Sequence, residues 1–162
     1  KGHKRIGYLR GNIRIKNFFY RDMGYQRALS GAGLPVEQKY TFSLTPTMEG
    51  AYEDMKNLLR QQPELPTAFF ADNDIIALGA MRALQECGYK VPGDVSVIGF
   101  DDLPFGMISY PALTTIRVHK QEMGRTAVRR LIEIMKNNTG VKTKVQVCNT
   151  FVERDSVRDL NA

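Results

Sequence analysis

The sequence predicts an α/β fold built on a largely parallel sheet, and two observations predict it. Strand-like apolar runs alternate with helical stretches along almost the whole chain, the pattern of successive β-α units. Two of the strands also end in acidic tips: Ala68-Phe69-Phe70-Ala71 runs into Asp72-Asn73-Asp74, and Val95-Ser96-Val97-Ile98-Gly99-Phe100 runs into Asp101-Asp102. In an open α/β sheet ligands sit outside the carboxyl ends of the strands, so polar groups delivered there by separate strands converge on one crevice.

The elements follow in order. Arg5-Ile6-Gly7-Tyr8-Leu9 reads as a first strand, followed by a polar loop from Arg10 to about Tyr20 and a helix from about Arg21 to Ser30. Gly31 or Gly33 stops that helix, because glycine takes the left-handed cap conformation freely. Tyr40-Thr41-Phe42-Ser43-Leu44 is a second strand. Thr45-Pro46 reads as an N-cap with proline at the first helical position, where its missing N–H removes no helical bond. The helix beyond it carries Met48, Ala51, Tyr52, Met55, Leu58 and Leu59 at the spacing of one buried face, and Pro63 and Pro66 end it. Residues 67 to 71 form the third strand, 74 to 87 a helix and 95 to 100 the fourth strand. A loop over 103 to 111 leads into Leu113-Thr114-Thr115-Ile116-Arg117.

The last helix, about Gln121 to Lys136, gathers Met123, Ala127, Val128, Leu131 and Met135 on one face. Asn137-Asn138-Thr139-Gly140 stops it, and Val145-Gln146-Val147-Cys148 with Phe151-Val152 reads as a closing strand region. The helix from Asp74 differs, since Ile75, Ile76, Ala77, Leu78, Ala80, Met81, Ala83 and Leu84 leave almost no polar face. It is either a central packing helix or a subunit interface. The interface is favoured, because sheet-covering helices normally keep a wet outer side.

Charge is uneven. Residues 1 to 27 hold eight basic side chains against one acid, a net of +7 within an overall +6. These residues lie on a strand flank and loop, without the groove-reading helix or interleaved aromatics of a nucleic-acid surface, so they read as a solvated rim or a wall facing an anionic or polyhydroxylated ligand. Cys87 and Cys148 lie far apart and lack metal-ligand spacing, which fits a reducing compartment. No apolar run reaches the ~18 residues of a membrane span, and no signal peptide is visible. The chain opens at Lys1 in mid-pattern, as a piece of a longer protein would.

Arg21 falls near the acidic tips, where its planar guanidinium suits a carboxylate, a phosphate or a vicinal diol; it is equally an ordinary surface arginine. Asn73 and Asp74 can each simply cap the following helix. Asp101 precedes a loop with Pro104 and Gly106, so its carboxylate is available to a ligand hydroxyl or amine. Phe42 is either a stacking wall or core. His3 and His119 read as non-catalytic. Asp72-x-Asp74 with Asp101-Asp102 superficially resembles magnesium-dependent phosphatases of the haloacid-dehalogenase type, but Ile76 occupies that motif's Thr or Val position and the expected lysine and Ser/Thr strand tip are missing. A receiver domain would carry its acid pair after the first strand, where Arg10-Gly11-Asn12 stands, and neither glycine-rich phosphate loop is present.

Gly2-His3-Lys4-Arg5-Ile6-Gly7-Tyr8, Arg21-x-x-Gly24-Tyr25, Pro66-Thr67-Ala68-Phe69-Phe70 through Asn73-Asp74-x-x-Ala77-Leu78-Gly79-Ala80, Val91-Pro92-x-Asp94 through Asp101-Asp102, and Pro111-x-Leu113-Thr114-Thr115-Ile116 together resemble the LacI/GalR family of bacterial transcription regulators, over the whole chain. The resemblance implies a Rossmann-like, type I periplasmic-binding-protein-like sensor with one complete lobe, residues 1–117, and part of a second, residues 118–162. It implies a small-molecule effector in the interlobe cleft, a sugar or sugar derivative in this reading although the family also binds nucleobases. It implies effector contacts at Arg21, Asn73 and Asp101, with Phe42 near an aromatic wall and Ile15 where some relatives carry a polar contact. It further implies a homodimer through Leu78, Met81, Arg82, Met107 and Tyr110. Operator DNA would be bound only by an N-terminal helix-turn-helix domain lying outside this chain. No catalysis, cofactor, metal or membrane is expected, and the location is cytoplasmic. The alternatives are the phosphatase-like hydrolase and the solute-binding protein of a transporter.

Overall fold

The computed structural model describes residues 1–137 and 140–162, so Asn138 and Thr139 of the expected helix stop lie outside the described residues. The elements run β1 (Ile6–Gly11), α1 (Lys16–Gly31), a 3-10 turn (Gln38–Tyr40), β2 (Thr41–Leu44), α2 (Met48–Leu59), β3 (Ala68–Ala71), α3 (Asp74–Glu86), β4 (Ser96–Ile98), α4 (Phe105–Ile108), β5 (Thr115–Arg117), α5 (Lys120–Asn137) and β6 (Thr150–Val152). The first four strands make a parallel sheet in the order β2-β1-β3-β4, and β5 pairs antiparallel with β6. Bridges from Ile98 to Thr114 and from Asp101 to Arg117 extend the sheet beyond β4.

Alternation along β1 divides the core. Leu9 faces α2 and α3 with Phe42, Leu44, Phe69 and Ala71, whereas Tyr8 faces α1 with Tyr25 and Leu29. The α2/α3 side is the larger core. There α2 packs over β2 and α3 over β1, β3 and β4, side by side, and Gly79 of α3 lets the two helices approach: a β-carbon at that position would stand 2.5 Å from the Met48 carbonyl oxygen.

This packing corrects the interface expectation for α3. Leu78 is 9% exposed and Met81 2%, both covered within the chain, so the all-round apolar helix is a central packing helix. Arg82 does reach solvent; its side chain is 71% exposed, bonds Glu86 at 3.0 Å and lies over the Tyr52 ring. Met107 and Tyr110 are exposed as well.

Boundaries also move: β4 shortens to Ser96–Ile98, and the expected loop over 103 to 111 holds the short helix α4. Helix α1 starts at Lys16, ahead of the expected Arg21, because Ile15 occupies its N-cap without any side-chain cap and the sequence carries no start signal there. Helix α2 is capped by Thr47, whose hydroxyl accepts from the Gly50 N–H at 3.1 Å, while the Thr45 N–H donates to Asp54 instead; Pro46 stands before the helix, not in it. Residues 145–148 form no strand, and the closing strand is confined to β6. Along α5 the apolar side chains Met123, Val128, Leu131 and Met135 are all exposed, so among the described residues its amphipathic face is left largely uncovered.

Candidate functional site

The carboxyl ends of β1, β3 and β4 carry the five acidic or amide residues of the two predicted tips, Asp72 to Asp74 and Asp101 to Asp102, and Arg21 reaches them from α1. The Arg21 side chain is only 15% exposed. Its Nη1 donates to the Asp72 carbonyl, its Nη2 to Asp101 Oδ1 at 3.3 Å, and its guanidinium lies 3.9 Å from the centre of the Phe100 ring. An arginine resting on an aromatic face with part of its donor fork loosely engaged is ready to bind a planar or diol-bearing partner.

Asp101 sits opposite. Its φ is +115°, in the left-handed half of backbone space, and its N–H donates to the Ile116 carbonyl at 2.9 Å. Burial holds its carboxyl above the ordinary aspartate value, against the pull of Arg21 and Lys120. Lys120, at the start of α5, donates to the Asp101 carbonyl at 3.2 Å; sequence reasoning did not single it out.

The other acids of the tips are structural. Asp72 is fully buried, accepts from the Tyr8 hydroxyl and takes the Gly11 N–H at 2.7 Å, fastening the tip of β3 to that of β1. Its carboxyl is pushed up by burial, with both hydrogen bonds opposing, and burial also drives the Tyr8 hydroxyl well above its usual range. Asp74 is fully buried and does more than start a helix: it accepts from Thr115 Oγ1 at 2.5 Å and from the Leu103 N–H at 2.7 Å, tying α3 to β5 and the loop after β4. Every carboxylate oxygen of this pair is already bonded within the chain. Neither acid is free for a magnesium ion or for attack on phosphorus, which removes the motif behind the phosphatase alternative.

Asn73 caps α3, its side chain accepting from the Ile76 N–H at 2.9 Å. It stands at the same edge, half-buried. Phe42 does not join the site. It sits mid-strand opposite Leu9, faces α2 and α3, and packs on Phe69 at 5.4 Å between ring centres. The residue that follows β2 at the cleft edge is Thr45, bonded by the Asn12 side chain at 3.2 Å.

Clefts open around this edge. One of about 420 Å³ lies over the β1–α1 loop between Arg14, Ile15, Phe18 and Phe19. A second, of about 600 Å³, is bounded by Asp101, Arg117 and Lys120. A third, about 860 Å³, runs past Arg21 along the α1 side of the sheet, over Tyr25, Phe70, Phe100 and Met123. The basic segment is partly neutralised, since Arg10 pairs with Asp22 at 2.7 Å and Arg5 with Glu64 at 3.3 Å. Among the described residues no helix is long and apolar enough to cross a membrane.

Residues 1–157 match the model of the periplasmic binding protein-like domain. The chain is 37% identical over 162 residues to the HTH-type transcriptional repressor PurR of Haemophilus influenzae strain PittEE, covering 98% of this chain and 48% of the relative. It is 36% identical over 159 residues to PurR of Mannheimia succiniciproducens, with coverages of 98% and 47%. Among solved structures, the lac repressor dimer bound to operator and the anti-inducer ONPF superposes with a TM-score of 0.86 at 28% identity, over 96% of this chain and 53% of that one. The transcriptional regulator CelR in complex with cellobiose gives 0.85 at 28%, over 96% and 47%. The chain thus spans about half the length of the curated relatives it matches.

Proposed function

The chain belongs to the periplasmic binding protein-like domain family, as part of the sensor domain of a LacI/GalR-type transcription regulator, and on that premise we propose that it helps bind a small effector which controls operator binding. The observation that carries the reading is the meeting of Arg21 and Asp101, from separate β-α units, over the Phe100 ring at the carboxyl edge of the sheet. A donor fork, a carboxylate and an aromatic face suit a carbohydrate: hydroxyls bridge the acid and the guanidinium, and an apolar sugar face meets the ring. Asn73 supplies a further amide. We assign residues 1–117 to one lobe and the stretch from residue 118 to a second, whose remainder would cover the bare face of α5; the closing residues return to the first lobe, where Ser156 bonds Val97 and Arg154 bonds Leu113, so the sequence-based bound of 118–162 for the second lobe is too long. Operator DNA is assigned to a helix-turn-helix domain outside this chain, in a cytoplasmic homodimer without catalysis of its own. An effector that fits one lobe arrangement better shifts that population, and the coupling to DNA is the difference between its two affinities.

In the full-length protein, cellobiose, monosaccharides, sugar phosphates and purine bases are titrated while operator affinity is followed. At least one compound is expected to change that affinity. Arg21→Ala and Asp101→Asn should each weaken its binding by about 10- to 100-fold, the worth of a charge-assisted hydrogen bond, without altering ligand-free operator affinity. A panel in which nothing changes operator binding refutes the reading.

A further inference from the structure

Asp101 and Asp102 are consecutive non-glycine residues at positive φ, +115° and +51°. An L side chain in that region crowds its own backbone, and two in succession persist only where the surroundings over-determine them. At Asp101 the reason is visible, because the turn delivers its carboxylate to Arg21. Asp102 points away from that contact and makes a different set. Its Oδ2 takes Arg117 Nε at 2.5 Å and its Oδ1 takes Arg154 Nη2 at 2.5 Å. The Asp102 and Arg154 side chains are 11% and 13% exposed.

The two arginines occupy the two passages of the chain across this end of the molecule. Arg117 closes β5, the way out to α5, and Arg154 follows β6, the way back; the strands pair with Arg117 opposite Thr150. Arg154 is itself fixed, donating to the Leu113 carbonyl at 2.6 Å while its N–H donates to Thr114 Oγ1 at 3.0 Å. Asp102 therefore spans both strands, and its neighbour in sequence is the acid facing the cleft.

We propose that Asp102 is a positioning residue for the effector site: by gripping Arg117 and Arg154 it holds the Asp101 backbone in the left-handed conformation that turns the Asp101 carboxylate toward Arg21 and the cleft. The consequence for ligand binding rests on the reading of Asp101 as an effector contact; the consequence for Asp101 itself does not. An ion pair that serves stability alone would leave the neighbouring carboxylate where it is.

The test uses the full-length protein and two readouts. Without ligand, the carboxyl ¹³C resonance of Asp101 is followed through a pH titration. In the parent its midpoint is expected above the ordinary aspartate value because of burial, with Arg21 and Lys120 drawing it down and Asp74 pushing it up. Asp102→Ala should release Asp101 to solvent and bring the midpoint down toward that ordinary value. Arg117→Gln, which removes only the more exposed arm, should produce a smaller shift of the same sign and guards against an Asp102 variant that does not fold. With whichever panel compound the parent binds, Asp102→Ala should lower affinity about tenfold, whereas the same change in an Asp101→Asn background should cost about twofold or less. An Asp101 midpoint unmoved in both variants overturns the proposal, even if thermal stability falls. If the parent binds no compound in the panel, the sensor reading fails and the carboxyl titration alone decides the role of Asp102.

Discussion

The buried Asp72 carboxylate sets the price of a well-formed cleft edge. Nothing solvates it, and it is kept by the Tyr8 hydroxyl and the Gly11 N–H, which in turn fix the tips of β1 and β3. Asp72→Asn preserves the shape and its oxygen can keep the Gly11 N–H, but the charged acceptor is lost and the Tyr8 hydroxyl must turn from donor to acceptor, so unfolding in urea should show a loss of about 2 kcal/mol at neutral pH. The pH dependence has a definite sign. Because burial raises the folded-state carboxyl above 3.8, this titration favours the fold most below the ordinary value and favours it progressively less as pH rises through the interval up to the raised one. The deficit of Asp72→Asn should accordingly be larger at about pH 4 than at about pH 7. Asp102 acts in the opposite sense. Burial opposes its charge, but Arg117 and Arg154 prevail and hold its carboxyl below the ordinary value, so its contribution fades as pH falls through that lowered value. At this scale the sequence was partly legible. The strand-end rule brought Arg21 to Asp101, whereas the partners of Asp74, Thr115 and Leu103, lie too far along the chain for any local pattern to join them.

At the scale of elements, alternation and helical spacing identified the order of β1 to β4 and the buried face of α2, because each is a local property of the chain. What they could not supply was the number of neighbours around an element. An apolar helix covered by a sheet and a sister helix has the same composition as one covered by a sheet and a second subunit, and only the burial of Leu78 and Met81 separates the two. Phe42 failed similarly, since period-two alternation says that its face is apolar without saying which side of the sheet that is. The α2/α3 crossing carries its own prediction. Replacing a mid-helix glycine by alanine ordinarily gains up to about 1 kcal/mol. At Gly79 the added methyl would meet the Met48 carbonyl oxygen at 2.5 Å and the Ala51 β-carbon at 2.9 Å, backbone and core that yield poorly. Overpacking should win, and Gly79→Ala should lose about 1–2 kcal/mol in urea unfolding.

For the whole molecule, the surface available for a partner copy differs from the one that composition favoured. Leu78 and Met81 belong to the interior, while Met107, Ile108 and Tyr110, at 60%, 81% and 92% exposure, stand outside, with the Tyr110 carbonyl accepting from Gln85 of α3 at 2.8 Å. If the homodimer proposed above uses that surface, Tyr110→Arg should shift the monomer–dimer equilibrium of the full-length protein toward monomer by about tenfold or more in sedimentation, without a loss of thermal stability. A charge at Leu78 would instead damage the core, so the two variants separate assembly from folding. The outer edge of β4 has another consequence. Thr114 covers one end of it, and at the other the Val97 N–H bonds the Ser156 carbonyl at 2.9 Å while the Ser156 hydroxyl returns a bond to the Val97 carbonyl from 59 residues further along the chain. During synthesis β1 to β4 emerge well before Ser156 does. Until that segment leaves the ribosome, the nascent sheet carries a bare edge open to a neighbouring chain, and residues 156–158 act as the cap that ends this exposure.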